Sequence, residues 1–430
     1  MRVAVIGAGW SGLAAAVTAT QDGHAVAVFE AARVLGGRAR ALPLRLPDGT
    51  PATLDNGQHI LIGAYTQTLE LMRCVGVQAH TALLRLPLTL RFPDGGGLQL
   101  PDWPAPWDAI GGILVARGWS IADKLSLLRL AIGWRLRGFR CAPDLTVAAL
   151  CARASPRVMQ ELVEPLCVSA LNLPAREASA ELFLRVVRDA LFGGRGGSNL
   201  LLPRVDLAQL FPLAAQLWLT RHGGVVQTAT RVVELQFAAG NWQVLGQQFD
   251  RVILATPAAA AMQLLGATQS HTPHPVAAQI GAWIGIAATL QHTAITTVYA
   301  QASGARLAQP MLALRGTSGP AQFVFDRGQL GGPRGLLAFV ISSSQLDQAT
   351  AQQQVVQQAS VALGLEVNPV QTVVEKRAAF ACPPGVQRPP MQIAPGLLAC
   401  GDYVDGPYPS TLEGATRSGV AAIRSSDSGT

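Results

Sequence analysis

Charge is scarce in this chain: Asp, Glu, Lys and Arg together make up only 14% of its 430 residues. Lysine is nearly absent, being confined to Lys124 and Lys376, so the net charge of +7 comes almost wholly from arginine. The arginines are scattered, without the aromatic interleaving or recognition motif of a nucleic-acid binder, and no nucleic-acid partner is expected. The six cysteines (Cys74, Cys141, Cys151, Cys167, Cys382, Cys400) form no C-x-x-C pair and have no histidine cluster beside them. That excludes a thiol-ligated metal centre and points to thiols in a reducing cytoplasm. Although 49% of residues are hydrophobic, no uninterrupted apolar run reaches the roughly 20 residues a transmembrane helix needs. The nearest candidate, Val276 to Leu290, is short and broken by Gln279. The first strand starts at once, with no room for a signal peptide, so the expected location is cytoplasmic.

What is present begins with Arg2 to Ile6, an apolar β-type run followed by Gly7-Ala8-Gly9-Trp10-Ser11-Gly12. An alanine-rich helical stretch, Gly23, a second β run from Ala25 to Phe29 and then Glu30 complete the order of a dinucleotide-binding βαβ unit. Gly7 permits the tight turn and Gly9 leaves room for a pyrophosphate. Trp10 and Ser11 open the helix whose N-terminus faces the phosphates, and Gly12 lets helix and sheet approach closely. Glu30 is placed to accept from a ribose diol and repels a ribose phosphate, disfavouring an NADP-type ligand. Among 44 glycines the motif alone is weak, and its flanks give it weight.

After Glu30 come Gly36-Gly37-Arg38. An acid followed closely by G-G-R resembles the signature of the flavoprotein superfamily that holds amine oxidases and carotenoid desaturases, where this segment approaches the FAD phosphates. The physical reading agrees, because two glycines expose N–H groups and an arginine pairs with a diphosphate. The stretch Asp55-Asn56-Gly57-Gln58-His59, followed by Gly63-Ala64-Tyr65, is similar to the segment that lies beside the flavin ring in the phytoene-desaturase branch. The resemblance also puts Val232 at the adenine. Near the end, Gly401-Asp402-Tyr403 and Thr411-Leu412-Glu413-Gly414-Ala415 resemble the G-D … M-E-G-A ending of the desaturases, with Leu412 where methionine is usual. That implies FAD contacts from Gly401, Asp402, Thr411 and Leu412. Amine oxidases usually carry a tyrosine where this chain has Thr411, and with four tyrosines in all an aromatic cage for an amine is not expected.

The implied fold class is α/β: an FAD-binding Rossmann-like domain from residues 1–75, 200–265 and 370–430, with a discontinuous α+β substrate domain from 76–199 and 266–369. Within the isoprenoid branch, the 55–77 run, Glu164-Pro165-Leu-Cys-Val-Ser-Ala-Leu-Asn172-Leu-Pro174 and the C-terminal ending look most like the hydroxysqualene dehydroxylase family. The implied chemistry is reductive: an isoprenoid lipid loses a hydroxyl and gains hydride from reduced FAD. Proton-donor candidates are His59, then Asp55, Glu164 and Tyr403; a carboxyl in an apolar tunnel has its pKa raised. A desaturase or isomerase of carotenoid precursors, and a non-catalytic flavin-bearing lipid-binding subunit, are the alternatives. No second G-x-G-x-x-G appears, so electrons are expected from an unidentified donor.

Residues 121–139 read as a helix with an apolar stripe of Ile121, Leu125, Leu128, Ile132, Leu136 and Phe139. Lys124, Arg129, Arg135, Arg137 and Arg140 surround it. Two readings stand: peripheral membrane contact through 121–140, or an ordinary helix whose stripe faces the core. Residues 101–118 read as irregular, and Gln345 to Leu363 as a helix capped by Ser344.

Overall fold

Strand β1 (Arg2–Ile6), helix α1 (Trp10–Gln21) and strand β2 (Ala25–Phe29) follow one another as the sequence orders them, in a computed structural model that describes residues 1–238 and 240–425. β1 pairs in parallel with β2, Ile6 opposite Phe29, and on its other side with Arg251–Leu254. Leu397–Ala399 adds in parallel to Arg251–Leu254, while Val225–Gln227 and Gln392–Ala394 form the two edges. Val3 to Ile6 are all buried, as expected for a parallel strand covered on both faces. Glycines set the closeness of the helical cover. A Cβ on Gly12 would lie 2.0 Å from the Gly7 carbonyl oxygen, and one on Gly419 of the final helix (Leu412–Arg424) 2.2 Å from that of Ser11. The two helices therefore pack almost backbone to backbone.

A second, antiparallel sheet runs in the order Met311–Ala313, Phe323–Asp326, Leu336–Ser342, His292–Gln301, Asn368–Phe380. Its side chains alternate between faces. Val298, Ala300 and Phe339 pack with Val355 and Ala359 of the Gln348–Leu363 helix, whereas Tyr299, Phe325 and Val340 turn into the main core. That inner face becomes a cavity wall. The strand Asn368–Phe380 belongs to this second sheet, so the sheet continues past residue 370; residues 426–430 of the expected 370–430 segment lie outside the described residues.

Three local expectations need correction. Residues 101–118 contain a helix, Trp107–Leu114; Gly111 and Gly112 are what let it press onto Trp103 and Leu100. The glutamine-rich helix begins at Gln348 rather than Gln345, and its cap is Asp347, which accepts from the Thr350 N–H at 2.9 Å, not Ser344. The basic helix spans Ile121–Leu136 with a Ser120/Asp123 capping box and stops before Phe139, because Gly138 and Phe139 both take positive φ. Most of its anticipated stripe does not face the core, although Phe139 beyond the helix end packs against it. Ile121 is 78%, Ile132 51% and Leu136 83% exposed, and Leu127, Leu130 and Trp134 are buried instead.

Candidate active site

Two cavities meet inside the molecule. The first, about 640 Å³, lies across the carboxyl ends of β1, β2 and Arg251–Leu254, where Ile6, Glu30 and Ala255 line it. Ligands of open α/β sheets bind at such strand ends. Gly7 turns the chain there with φ +109°, and a Cβ on it would lie 2.7 Å from the Ala255 carbonyl oxygen. The nearest atom to a Cβ placed on Gly9 is the Gly37 Cα at 4.0 Å, and a bridge between Gly9 and Gly36 brings the G-G-R loop over the turn. Trp10 and Ser11 line this cavity; Gly12 does not, and serves the packing of α1. No side chain caps the start of α1, which leaves first-turn N–H groups available to an anion.

Glu30 holds its carboxylate with two backbone donors, Ala8 N–H at 2.7 Å and Ala32 N–H at 2.8 Å. Each oxygen keeps a further lone pair. Val232 lines the same end of the cavity. Arg38 donates to the carbonyl oxygens of Ala378 at 2.9 Å and Arg377 at 3.3 Å and pairs with Asp402. Gly401, Asp402 and Tyr403 form the opposite wall, the Tyr403 hydroxyl being buried without a partner. Thr411 caps the final helix by accepting from the Gly414 N–H at 2.9 Å, so that helix begins at the cavity with Leu412.

The second cavity, about 200 Å³, has walls of Leu88, Leu166, Leu171, Ile295, Phe325 and Val340, with Gly57 and Gln58 at one side. Arg38, His59, Ala378, Ser410, Thr411 and Leu412 border both cavities and mark their junction. Burial, reinforced by Arg38, holds the His59 pKa down at about 4, so the ring is neutral at neutral pH. Its Nδ1 is buried without a partner.

The other acid candidates lie elsewhere. Asp55 is fully buried and lines neither cavity. Burial pushes its pKa up to about 6 against the pull of Arg327, whose Nη1 is 3.8 Å from the carboxylate. Arg327 also donates to Gln58 at 3.3 Å, and the Tyr299 hydroxyl donates to the Asp55 carbonyl at 2.7 Å. This group holds the 55–58 loop from beneath. Glu164 likewise lines neither cavity; its oxygens accept the Ala175 N–H at 3.2 and 3.3 Å. Tyr403 reaches the first cavity only, and burial raises its phenol. A residue not singled out in the sequence, Glu375, is the one carboxylate lining the second cavity among the described residues. It accepts from Asn56 Nδ2 at 3.1 Å and from the Arg377 N–H at 3.2 Å. Its position depends on a strand irregularity that no sequence pattern signals.

The sequence pattern of a family described as flavin containing amine oxidoreductase matches residues 10–423. The chain belongs to that family. The fold is similar to that of an oxidoreductase from Methanosarcina mazei (TM-score 0.72, 18% identity, covering 98% of this chain and 99% of that one). Cyclohexylamine oxidase from Brevibacterium oxydans gives TM-score 0.68 at 17% identity, covering 98% and 97%. Hydroxysqualene dehydroxylase of Rhodopseudomonas palustris is 29% identical over 98% of this chain and 97% of its own length; that of Sinorhizobium fredii is 28% identical over 98% and 97%. A 15-cis-phytoene desaturase of Synechococcus elongatus is 31% identical over 26% of this chain and 24% of its own.

For this family member the cofactor is FAD, and the residues fit it. The facing glycines Gly9 and Gly37 leave a floor that side chains would fill, and the α1 N-terminus and Arg38 supply positive potential for a diphosphate. Glu30 has the acceptors a ribose diol needs, and the Tyr403 hydroxyl is buried without a partner in the opposite wall. Among the described residues no group of His, Cys, Asp and Glu could hold a metal ion, and no helix is long and apolar enough to cross a membrane.

Proposed function

We propose that this protein is a hydroxysqualene dehydroxylase, reducing hydroxysqualene to squalene. The observation that carries the reading is end-to-end similarity to hydroxysqualene dehydroxylases over 97–98% of the chain, where the carotenoid-enzyme matches cover only 19–30%. The second cavity supports it, since Leu88, Leu166, Leu171, Ile295, Phe325 and Val340 give it an apolar wall beside the junction bordered by Arg38, His59 and Leu412. Bound FAD in its reduced form supplies the hydride. The protein's part is to position the hydroxyl-bearing carbon at the junction, exclude water with Leu171, Ile295 and Val340, and deliver a proton to the departing oxygen. Electrons reach the cofactor from a separate donor.

The FAD contacts proposed are Gly7, Gly9, Trp10, Ser11, Glu30, Gly36, Gly37, Arg38, Val232, Gly401, Asp402, Thr411 and Leu412, with His59 at the ring and Gly57 and Gln58 on the substrate side. The helix 121–136 is proposed as a peripheral contact with the cytoplasmic face of an anionic bilayer. Ile121, Leu125, Ile132 and Leu136 are exposed, as are Trp103, Trp107 and Leu114 beside them, and Arg129, Arg135 and Arg137 flank the stripe with charge of the matching sign.

The deciding experiment is anaerobic. Holoenzyme reduced with dithionite is mixed with hydroxysqualene in detergent, and flavin absorbance is followed with extracted lipids. Reoxidation with stoichiometric squalene is expected; a flavin that stays reduced, with no squalene, refutes the reading. Conversion of phytoene by oxidised enzyme to a polyene would favour the desaturase alternative.

A further inference from the structure

Proton delivery needs an acid that the substrate can touch, and the candidates named from the sequence do not meet that need. Asp55 and Glu164 line neither cavity, Tyr403 lines only the first, and His59 is held neutral. Tyr65 reaches the second cavity, but its buried phenol is pushed above its ordinary range. We propose that Glu375 is the catalytic acid that protonates the leaving hydroxyl, an inference that rests on the dehydroxylase reading.

The geometry that presents Glu375 is a bulge. Ile295 pairs with Glu375 and Thr293 with Ala379, so Lys376, Arg377 and Ala378 face the single residue Ala294. Bulges re-aim side chains and leave backbone groups without ladder partners. Here those groups are taken up locally: Arg38 holds the carbonyls of Arg377 and Ala378, and the Arg377 N–H binds one oxygen of Glu375 itself. Asn56 Nδ2, which also donates to the Arg38 carbonyl at 2.9 Å, holds the other oxygen. The carboxyl is thus fixed in the cavity wall beside the residues that border both cavities, with a lone-pair site on each oxygen to spare.

The Glu375 proton passes to the hydroxyl oxygen, the C–O bond breaks with its electron pair, and water leaves. The allylic carbon takes the hydride that the reduced flavin supplies, and Glu375 regains a proton from solvent.

The test uses holoenzyme of wild type, E375Q, E375D and E375A in single-turnover flavin reoxidation by hydroxysqualene across pH, with FAD content read from the visible spectrum. E375Q is expected to keep its FAD and slow by about 10²–10⁴-fold, the usual worth of a general acid. The wild-type rate should fall along one ionisation as pH rises, a limb that moves in E375D and disappears in E375Q, and formate should restore part of the rate to E375A. An E375Q rate within about threefold of wild type, or a loss that leaves the pH limb in place and is not relieved by formate, overturns the proposal. An inert wild type defeats the dehydroxylase reading and the acid assignment together, whereas an active wild type with an unaffected E375Q defeats the assignment alone.

Discussion

Arg38 and Asp402, 364 residues apart in the chain, form an ion pair in the wall of the cofactor cavity. The pair joins the G-G-R loop to the Gly401-Asp402 segment, and the same guanidinium ties in the Arg377 and Ala378 carbonyls. Removing either partner leaves the other partly buried without its counter-ion, at a cost of about 1.5–3 kcal/mol for a charged hydrogen bond. R38A and D402A are each expected to weaken FAD binding by about tenfold or more, measured by fluorescence titration of deflavinated protein. The double variant should lose less than the sum of the two. Additive losses would mean that the residues act separately.

The depressed His59 pKa has a consequence for stability. A folded value of about 4 against an ordinary 6.5 means that the unfolded chain binds the proton more readily. Stability is therefore lost as pH falls from 6.5 towards 4, and nothing is lost above 6.5. Asp55 works in the opposite sense, since its folded pKa of about 6 lies above its ordinary 3.8 and the native state takes up its proton first. Thermal melts of wild type and H59Q separate the two: the wild type should lose more melting temperature than H59Q across this window, and equal slopes would contradict the buried, neutral histidine.

Two glycines in helices make a paired test of packing. A Cβ at Gly419 meets the Ser11 carbonyl oxygen at 2.2 Å, whereas one at Gly133 meets nothing within 4 Å. G419A should destabilise by about 1–3 kcal/mol through overpacking, and G133A should stabilise by about 0.5–1 kcal/mol through helix propensity. Denaturant melts that show the same sign for both would refute the close α1–final helix contact.

The exposed stripe predicts a lipid dependence. Wild type should co-sediment with phosphatidylglycerol-containing vesicles and less with neutral ones, and added salt should weaken the attraction. L125D/I132D should remain in the supernatant with its FAD spectrum intact. Equal recovery of wild type and variant would remove the stripe from any membrane role.

The βαβ unit and the FAD motifs were legible because each rests on backbone chemistry that only certain residues permit: Gly7 at φ +109°, Gly12 against a carbonyl, Thr411 capping a helix. Glu375 was not legible. It sits in a long strand whose alternation reads as ordinary, and only the bulge at Lys376–Ala378 turns the segment toward Arg38. Asp55 was picked for its place in a motif, yet its partner Arg327 lies 272 residues away, and that contact sets its role as support for the loop. The stripe on the 121–136 helix was found by spacing, but spacing cannot say which of two apolar faces meets the core. Leu127, Leu130 and Trp134 decided that, through contacts such as Trp134 against Phe183 at 6.3 Å.

The six-stranded sheet takes strands from residues 2–29, 225–254 and 392–399, and Arg38 waits for Arg377, Ala378 and Asp402. The nascent chain emerging from the ribosome therefore carries a complete glycine turn long before it has a place to hold the cofactor. At about 5–20 residues per second, that interval lasts tens of seconds. Until residues 225–254 emerge, the apolar β1 and β2 have neither of their outer neighbours. Flavin capture therefore waits until the Gly401-Asp402 segment, which completes the cavity wall opposite the glycine turn, has left the ribosome.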